Sequence, residues 1–274
     1  MALIQQLPPF LNVVNSGIAT LQIPKYANTL TRIVLALAGT AFTKAMITDI
    51  KVKIGARTVY NVTGARLDAI NKYKGIYDDA NFLTIDFTER DAPSIDGKEV
   101  GGFDLTAWPD NLNLEVTIAG ATAPQLQGYM FLTPPQGQGA GELIHKLLYF
   151  PASTSVAGKF PINFAAKGAL IKRVHMFYAG ADWTATADGN LNRVEVKKNG
   201  LIVWDATSRV QRFIEQEQRK VPQPKHYCVD FVFDNNQSGA LKTADAAALE
   251  FNAYLTAPDG IDVYVEVIDL PFNL

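Results

Sequence analysis

Ile50-Lys51-Val52-Lys53-Ile54-Gly55-Ala56-Arg57-Thr58-Val59-Tyr60-Asn61-Val62-Thr63 returns 144 residues later as Val194-Glu195-Val196-Lys197-Lys198-Asn199-Gly200-Leu201-Ile202-Val203-Trp204-Asp205-Ala206-Thr207. Both stretches read as strand, tight turn, strand, because apolar and polar residues alternate on either side of a turn dipeptide. Asn199-Gly200 is the stronger turn signal, since both central residues of a type I′ turn need positive φ. Gly55-Ala56 stands in its place in the first copy. The same offset runs without a gap over residues 50 to 89 against 194 to 233, where Ile70 meets Ile214, Asp86 meets Asp230 and Phe87 meets Phe231.

Outward from this block the match continues with stepped offsets. Upstream, at 141, Arg32 meets Arg173, Ala38-Gly39 meets Ala179-Gly180 and Gly17 meets Gly158. At 140, Leu3-Ile4-Gln5-Gln6-Leu7-Pro8-Pro9-Phe10 meets Leu143-Ile144-His145-Lys146-Leu147-Leu148-Tyr149-Phe150. Downstream, Leu114-Glu115 is matched to Leu249-Glu250 at 135, with the residues lost from the second copy placed in Arg90 to Gly102. Segments that recur in one order mark a duplicated domain. The Gly/Gln-rich run from Pro134 to Gly141 reads as a flexible connection. The expected organisation is therefore an N-terminal arm at 1–16, one domain at 17–141 and a second at 142–274.

Each half is a series of short alternating strands, among them Asp49 to Ile54, Phe82 to Phe87, Asn113 to Ile118, His226 to Phe233 and Leu249 to Leu255. Ile33 to Leu37 and Val174 to Tyr178 alternate less, as strands covered on both faces do. After each hairpin comes one helical stretch. Ala65 to Tyr73 spaces Leu67, Ile70 and Tyr73 on one face; Ser208 to Arg219 has Ser208 as its cap and Val210, Phe213 and Ile214 as its apolar stripe. About eight strands per half with an inserted helix and long crossing loops point to jelly rolls rather than immunoglobulin sandwiches. The expected fold is all-β: two tandem jelly-roll β-sandwiches, a double jelly roll, each with one short inserted helix.

With 48% hydrophobic and 19% charged residues over 274 positions, the chain buries a substantial core. A net charge of −2 without a basic cluster excludes direct nucleic-acid binding as an expectation. A single cysteine, Cys228, excludes a disulfide within one chain and reads as a small apolar core residue. The first charged residue is Lys25, yet Pro8-Pro9 and Gln5, Gln6, Asn12 and Asn15 argue against a signal peptide or membrane span.

Candidate chemistry is sparse. His145, His175 and His226 share no paired-ligand spacing and read as structural. Asp78, Asp79, Asp86, Glu89, Asp91, Asp96 and Asp104 match no calcium loop, although intersubunit calcium stays open as a cofactor; Asp86 and Asp230, equivalent in the repeat, read as sharing a structural role. Gly137, Gly139 and Gly141 lack the Lys-Ser/Thr of a phosphate loop. Trp108, Trp183 and Trp204 invite a sugar platform, but Trp204 matches Tyr60 and reads as core, leaving Trp183 as a contact residue. No catalytic, cofactor or metal residue is expected. Expected interface residues are Leu3, Ile4, Leu7 and Phe10, an uncharged hook ended by Pro8-Pro9, together with Trp183. On that reading, deleting residues 2–10 spares folding and impairs assembly. The competing reading is a secreted double jelly-roll carbohydrate-binding protein or glycan hydrolase, which needs two carboxylates about 5 to 10 Å apart in a cleft.

Leu7-Pro8-Pro9-Phe10, Arg32 to Lys53, Ala69 to Ile76 and Phe82 to Glu89 resemble the N-terminal domain of corticovirus-type double jelly-roll coat proteins, found in tailless membrane-containing phages and related prophages. The resemblance implies a major capsid protein without catalytic activity, a homotrimeric pseudo-hexagonal capsomer tiling an icosahedral shell over an internal membrane. Threefold symmetry acting on a two-lobed chain gives six similar edges. Implied partners are neighbouring capsomers, a vertex or penton protein and viral membrane proteins. The implied location is the virion shell, with the host cytoplasm before assembly.

Overall fold

The computed structural model describes residues 3–106, 110–135, 143–164 and 166–273. Most of the expected connection, including Gly137, Gly139 and Gly141, and also Trp108, lies outside the described residues. The chain forms two compact units. The first comprises the chain to Lys72, Ile76–Leu148 and Ile268–Phe272; the second comprises Tyr73–Gly75, Tyr149–Val267 and the final residues.

In the first unit β1 (Leu3–Gln6), β9 (Gln125–Thr133), β3 (Thr29–Ala38) and β6 (Phe82–Asp86) form one sheet in that order, with β7 (Phe103–Asp104) also on β3. The facing set is β2 (Gly17–Gln22), β8 (Leu112–Ile118), β4 (Ile47–Ile54) and β5 (Arg57–Val62). The start of β10 (Ile144–Thr154) runs parallel to β5, with Leu147 opposite Tyr60. Leaving β7 aside, the eight strands pass between the sheets at every step except the β4–β5 hairpin, the order of a jelly roll of two interlocked Greek keys. β8 shows why they pair this way: Leu112, Leu114, Val116 and Ile118 are buried and the residues between them are not, a period of two that presents one apolar face.

The second unit repeats the plan. β15 (His226–Asp230), β12 (Leu170–Tyr178), β18 (Asp259–Asp269) and β10 form one sheet, with β16 (Leu241–Lys242) on β12; β11 (Gly158–Ile162), β17 (Leu249–Leu255), β13 (Leu191–Lys198) and β14 (Leu201–Thr207) form the other. Eight of the nine residues of β12 are buried, as expected of a strand covered on both faces. Helix α1 (Gly64–Tyr73) follows β5, and its counterpart follows β14. The hairpins differ in one respect. Asn199 and Gly200 both have positive φ, at 51° and 81°, whereas in the first copy only Gly55 does, at 58°. These are the type I′ and type II′ solutions to one two-residue turn.

Four expectations are corrected. Residues 3–10 are not a free arm: β1 pairs antiparallel with β9, Leu3 opposite Leu132, and Leu7 and Phe10 are buried at 2% and 7% exposure. Leu7 lies so close to Gly128 that a Cβ there would come within 2.7 Å of its Cδ1. The repeat of these residues at β10 reflects a first jelly-roll strand in each copy. Second, the 135 offset at β8 is wrong by two. Ile50 faces Val116 and Val194 faces Ala253, so the strands correspond at 137 and the second copy is seven residues shorter between β6 and β8. A slip of two keeps every side chain on its own face, so the apolar pattern matches equally well in either register. Third, the first copy holds a second helix, α2 (Ile95–Glu99), capped by Ser94, whose hydroxyl accepts from the Gly97 N–H at 3.0 Å. It occupies part of the segment the second copy shortens. Fourth, the helix after β14, α3 (Ser208–Glu217), is capped by Thr207; the Ser208 hydroxyl instead donates to the Leu191 carbonyl at 2.5 Å.

Candidate assembly surface and a buried histidine cluster

Helix α3 lies against β13, β14 and β15 with its polar side inward. Ser208, Gln211, Arg212 and Glu215 are buried, while Val210 and Phe213 stand 50% and 65% exposed. The expected apolar stripe is therefore largely an outer surface. Inside, the Gln211 amide donates to the Cys228 carbonyl at 2.6 Å and to Glu215 Oε1 at 3.1 Å. Burial pushes the Glu215 carboxyl up to about 8. Beside the helix, the Trp183 indole N–H donates to the Gln223 carbonyl at 3.0 Å, and the Arg212 guanidinium stacks over its ring at 4.2 Å. Arg212 is held in turn by the carbonyls of Thr184 and Ala187. Trp183, Val210, Arg212 and Phe213 line one open groove. Next to it β14 ends its sheet among the described residues, with Leu201 and Ile202 exposed at 70% and 50%. An open edge bearing apolar side chains beside an apolar helix face has the composition of a surface that another chain covers.

The other expected interface residues divide. Leu7 and Phe10 belong to the core of the first unit and offer no surface; Leu3 is half-buried; Ile4, at 63% exposure, points outward from the edge strand β1.

Asp86 and Asp230 occupy equivalent places. Arg32 faces Asp86 across β3 and β6, and Arg173 faces Asp230 across β12 and β15. Each aspartate also accepts the backbone N–H two residues on, from Thr88 and Val232. In the second unit the pair is fully buried, Arg173 Nε lying 2.9 Å from Asp230 and Nη1 3.1 Å from Glu266. In the first, Arg32 is half-buried and lies over the Phe131 ring at 3.8 Å.

Around Arg173 the second unit gathers groups the sequence scatters. His175 Nδ1 lies 3.1 Å from His226 Nε2, and His175 Nε2 lies 3.2 Å from Glu266 Oε1, which also takes the Lys74 ammonium at 2.5 Å. Tyr73 sets its ring edge against both imidazoles and donates its hydroxyl to Asp230 at 2.9 Å. The ligand atoms of His175, His226 and Cys228 lie within 4.8 Å of one another. Spacing along the chain hides this cluster, because His175 sits opposite Cys228 and Phe177 opposite His226 in the β12–β15 ladder. Cross-strand register was the signal that could have found it: the offsets already align β12 with β3 and β15 with β6. His145, by contrast, is buried in the first unit beside Tyr60. Several of the acidic candidates are engaged within the chain: Asp78 with Lys44 and Lys72, Asp79 with the Asn81 N–H, and Asp104 with the Thr106 N–H.

Comparison with known proteins agrees with this architecture. The structure superposes on the major capsid protein P2 from Bacteriophage PM2 with a TM-score of 0.85, at 15% identity, over 98% of each chain. It superposes on a chain of Sulfolobus Turreted Icosahedral Virus at 0.70, with 15% identity over 99% of this chain and 91% of that one. On the PBCV-1 virus capsid the score is 0.63, with 12% identity over 98% and 94%. At these identities the likeness is one of fold. No curated protein sequence matches the chain. Family membership comes from the sequence itself: residues 4–133 match the viral coat protein P2 N-terminal domain and residues 144–271 its C-terminal domain. Between them the two matches take in both jelly rolls and nearly the whole chain, and the chain belongs to the viral coat protein P2 family, whose role is structural, in the capsid.

Proposed function

We propose that this coat protein assembles as a homotrimer, a pseudo-hexagonal capsomer that tiles an icosahedral shell over an internal membrane. The observation that carries the reading is the duplicated jelly roll with one strand order in both copies. Three such chains present six similar lobes, so closed threefold symmetry mimics sixfold packing. The outward Val210 and Phe213, the Trp183 groove and the open edge of β14 supply apolar surface for contact between copies. Ile4 on β1 supplies a smaller patch for neighbouring capsomers, vertex or penton proteins, or viral membrane proteins. The chain gathers in the host cytoplasm before entering the shell. A net charge of −2 without a basic cluster supports a shell separated from the genome by lipid. Among the described residues no helix is long and apolar enough to cross a membrane.

Light scattering of the purified chain tests the proposal. A chain of 29.9 kDa gives an 89.7 kDa trimer, and Phe213→Glu shifts the population toward monomer by placing a charge in the contact. A wild-type chain that stays monomeric at micromolar concentration overturns the reading.

A further inference from the structure

We propose that His175, His226 and Cys228 form a buried site for a thiophilic d10 metal ion of the zinc class. Their three ligand atoms already lie within 4.8 Å of one another, on two adjacent strands whose ladder fixes their backbones. Two nitrogens of a tetrahedral zinc site, each about 2.0–2.1 Å from the metal, stand roughly 3.3–3.4 Å apart. His175 Nδ1 and His226 Nε2 stand 3.1 Å apart. Insertion of the ion needs the imidazoles to part by a few tenths of an ångström and the Cys228 side chain to close in by about 1 Å.

The surroundings of the trio are those of a metal ligand set. A coordinating imidazole commonly passes its other N–H to a carboxylate, which fixes its tautomer and raises its basicity. His175 Nε2 stands 3.2 Å from Glu266 Oε1, and Glu266 is pinned by Arg173 and Lys74. Phe177 stacks on His226 at 4.5 Å between ring centres, and Tyr73 closes the side facing both imidazoles. The set is soft and neutral to anionic, two imidazoles and a thiol, which selects zinc over magnesium or calcium. On binding, the Zn–S bond replaces the S–H bond and the thiol proton leaves to solvent; the proton held between His175 Nδ1 and His226 Nε2 passes to the far nitrogen of its ring, and Zn²⁺ with one thiolate adds a net charge of +1 to the core.

The jelly roll does not need these residues. The first copy builds the same ladder with Val34 opposite Thr84 and Ala36 opposite Phe82, where the second has His175 opposite Cys228 and Phe177 opposite His226. The ladder alone therefore does not call for two imidazoles and a thiol at these places.

The test supplies Zn²⁺ during expression and again to the folded full-length protein, followed by metal analysis, and uses Co²⁺ as the spectroscopic probe. One zinc per chain is expected, with a thiolate-to-cobalt charge-transfer band. Cys228→Ser should lose that band and at least 100-fold in affinity. Glu266→Gln should lose about 10–100-fold while keeping the band. If Cys228→Ser does not fold, the cobalt band and zinc stoichiometry of the wild type decide alone. Wild-type protein that holds no stoichiometric zinc and shows no thiolate band overturns the proposal, as does a folded Cys228→Ser variant that binds as tightly as wild type. Neither result bears on self-assembly, which the trimer measurement reads separately.

Discussion

Helices α1 and α3 hold the same place in the two jelly rolls and differ in chemistry on both sides. At an offset of 144, Leu67 corresponds to Gln211, Ile70 to Ile214 and Asn71 to Glu215 on the inward side; Arg66 corresponds to Val210 and Ala69 to Phe213 on the outward side. The inward positions are the same in both copies: 67 and 211, and 71 and 215, are all buried. What changed is their content. In α1 Leu67 and Ile70 face in beside Asn71, and in α3 a hydrogen-bonded Gln–Glu pair faces in beside a half-buried Ile214, while Val210 and Phe213 face out. Sheet topology, through the strands on either side, sets a helix's orientation here more strongly than its own hydrophobic pattern. A helix that keeps its orientation against its pattern has its apolar residues available to a partner.

The largest effect tests the first strand. Deleting residues 2–10 removes the β1 ladder and the buried Leu7 and Phe10, each worth about 1.5–3 kcal/mol. We expect loss of a cooperative thermal transition in the first unit. A variant that folds normally would restore the arm reading and remove β1 from the comparison of copies.

Next come the equivalent ion pairs. Asp230→Ala leaves Arg173 charged and wholly buried, and should cost about 3–5 kcal/mol in chemical denaturation. Asp86→Ala leaves a half-buried Arg32 over Phe131 and should cost less, about 1–2 kcal/mol. Equal losses would show that the two pairs do the same work despite their different burial.

The helices themselves are compared directly by Leu67→Ala and Phe213→Ala. The first should cost about 2–5 kcal/mol. The second should leave the unfolding free energy of the separated chain within about 0.5 kcal/mol while weakening self-association. A large stability loss from Phe213→Ala would mean that its ring packs within its own chain.

The last effect is a slope with pH rather than a single loss. The Glu215 carboxyl titrates near 8 when folded and near 4.5 when unfolded, so the folded state holds the proton more tightly. Its contribution to stability is fully present below about pH 4.5 and is lost as pH rises through about 8, by up to about 1.4 kcal/mol per pH unit between them. Glu215→Gln should flatten the stability profile over that window, and the difference between variant and wild type isolates this one group. An unchanged profile would place Glu215 in contact with water.

How far the chain could be read from its residues follows the same division. The repeat, the eight-strand plan and the Arg–Asp equivalence were legible because strands of period two and tight turns write themselves locally. The first strand was misread because Pro8-Pro9 and the lack of charge describe an arm and a buried edge equally well. Its duplicate at Leu143 to Phe150 was the correcting signal. The outward face of α3 was illegible because periodicity shows that a helix has an apolar side and not which way it turns. The histidine cluster was illegible because its members meet only through ladder register, which no spacing along the chain expresses.

The hairpins carry one more consequence. Both β4–β5 and β13–β14 shift register at one step, between Val52 and Lys53 and between Val196 and Lys197. A bulge inserts one residue into a ladder, and two independent insertions at one step of one hairpin are a poor account of that coincidence. The irregularity is better dated before the duplication, to a single-domain ancestor. It thus serves as a clock mark within the molecule. Traits shared by both halves, such as the bulge and the arginine–aspartate crossing, descend from that ancestor. The outward aromatic helix and the histidine pair stand in one half alone, so at those places at least one copy changed after the duplication.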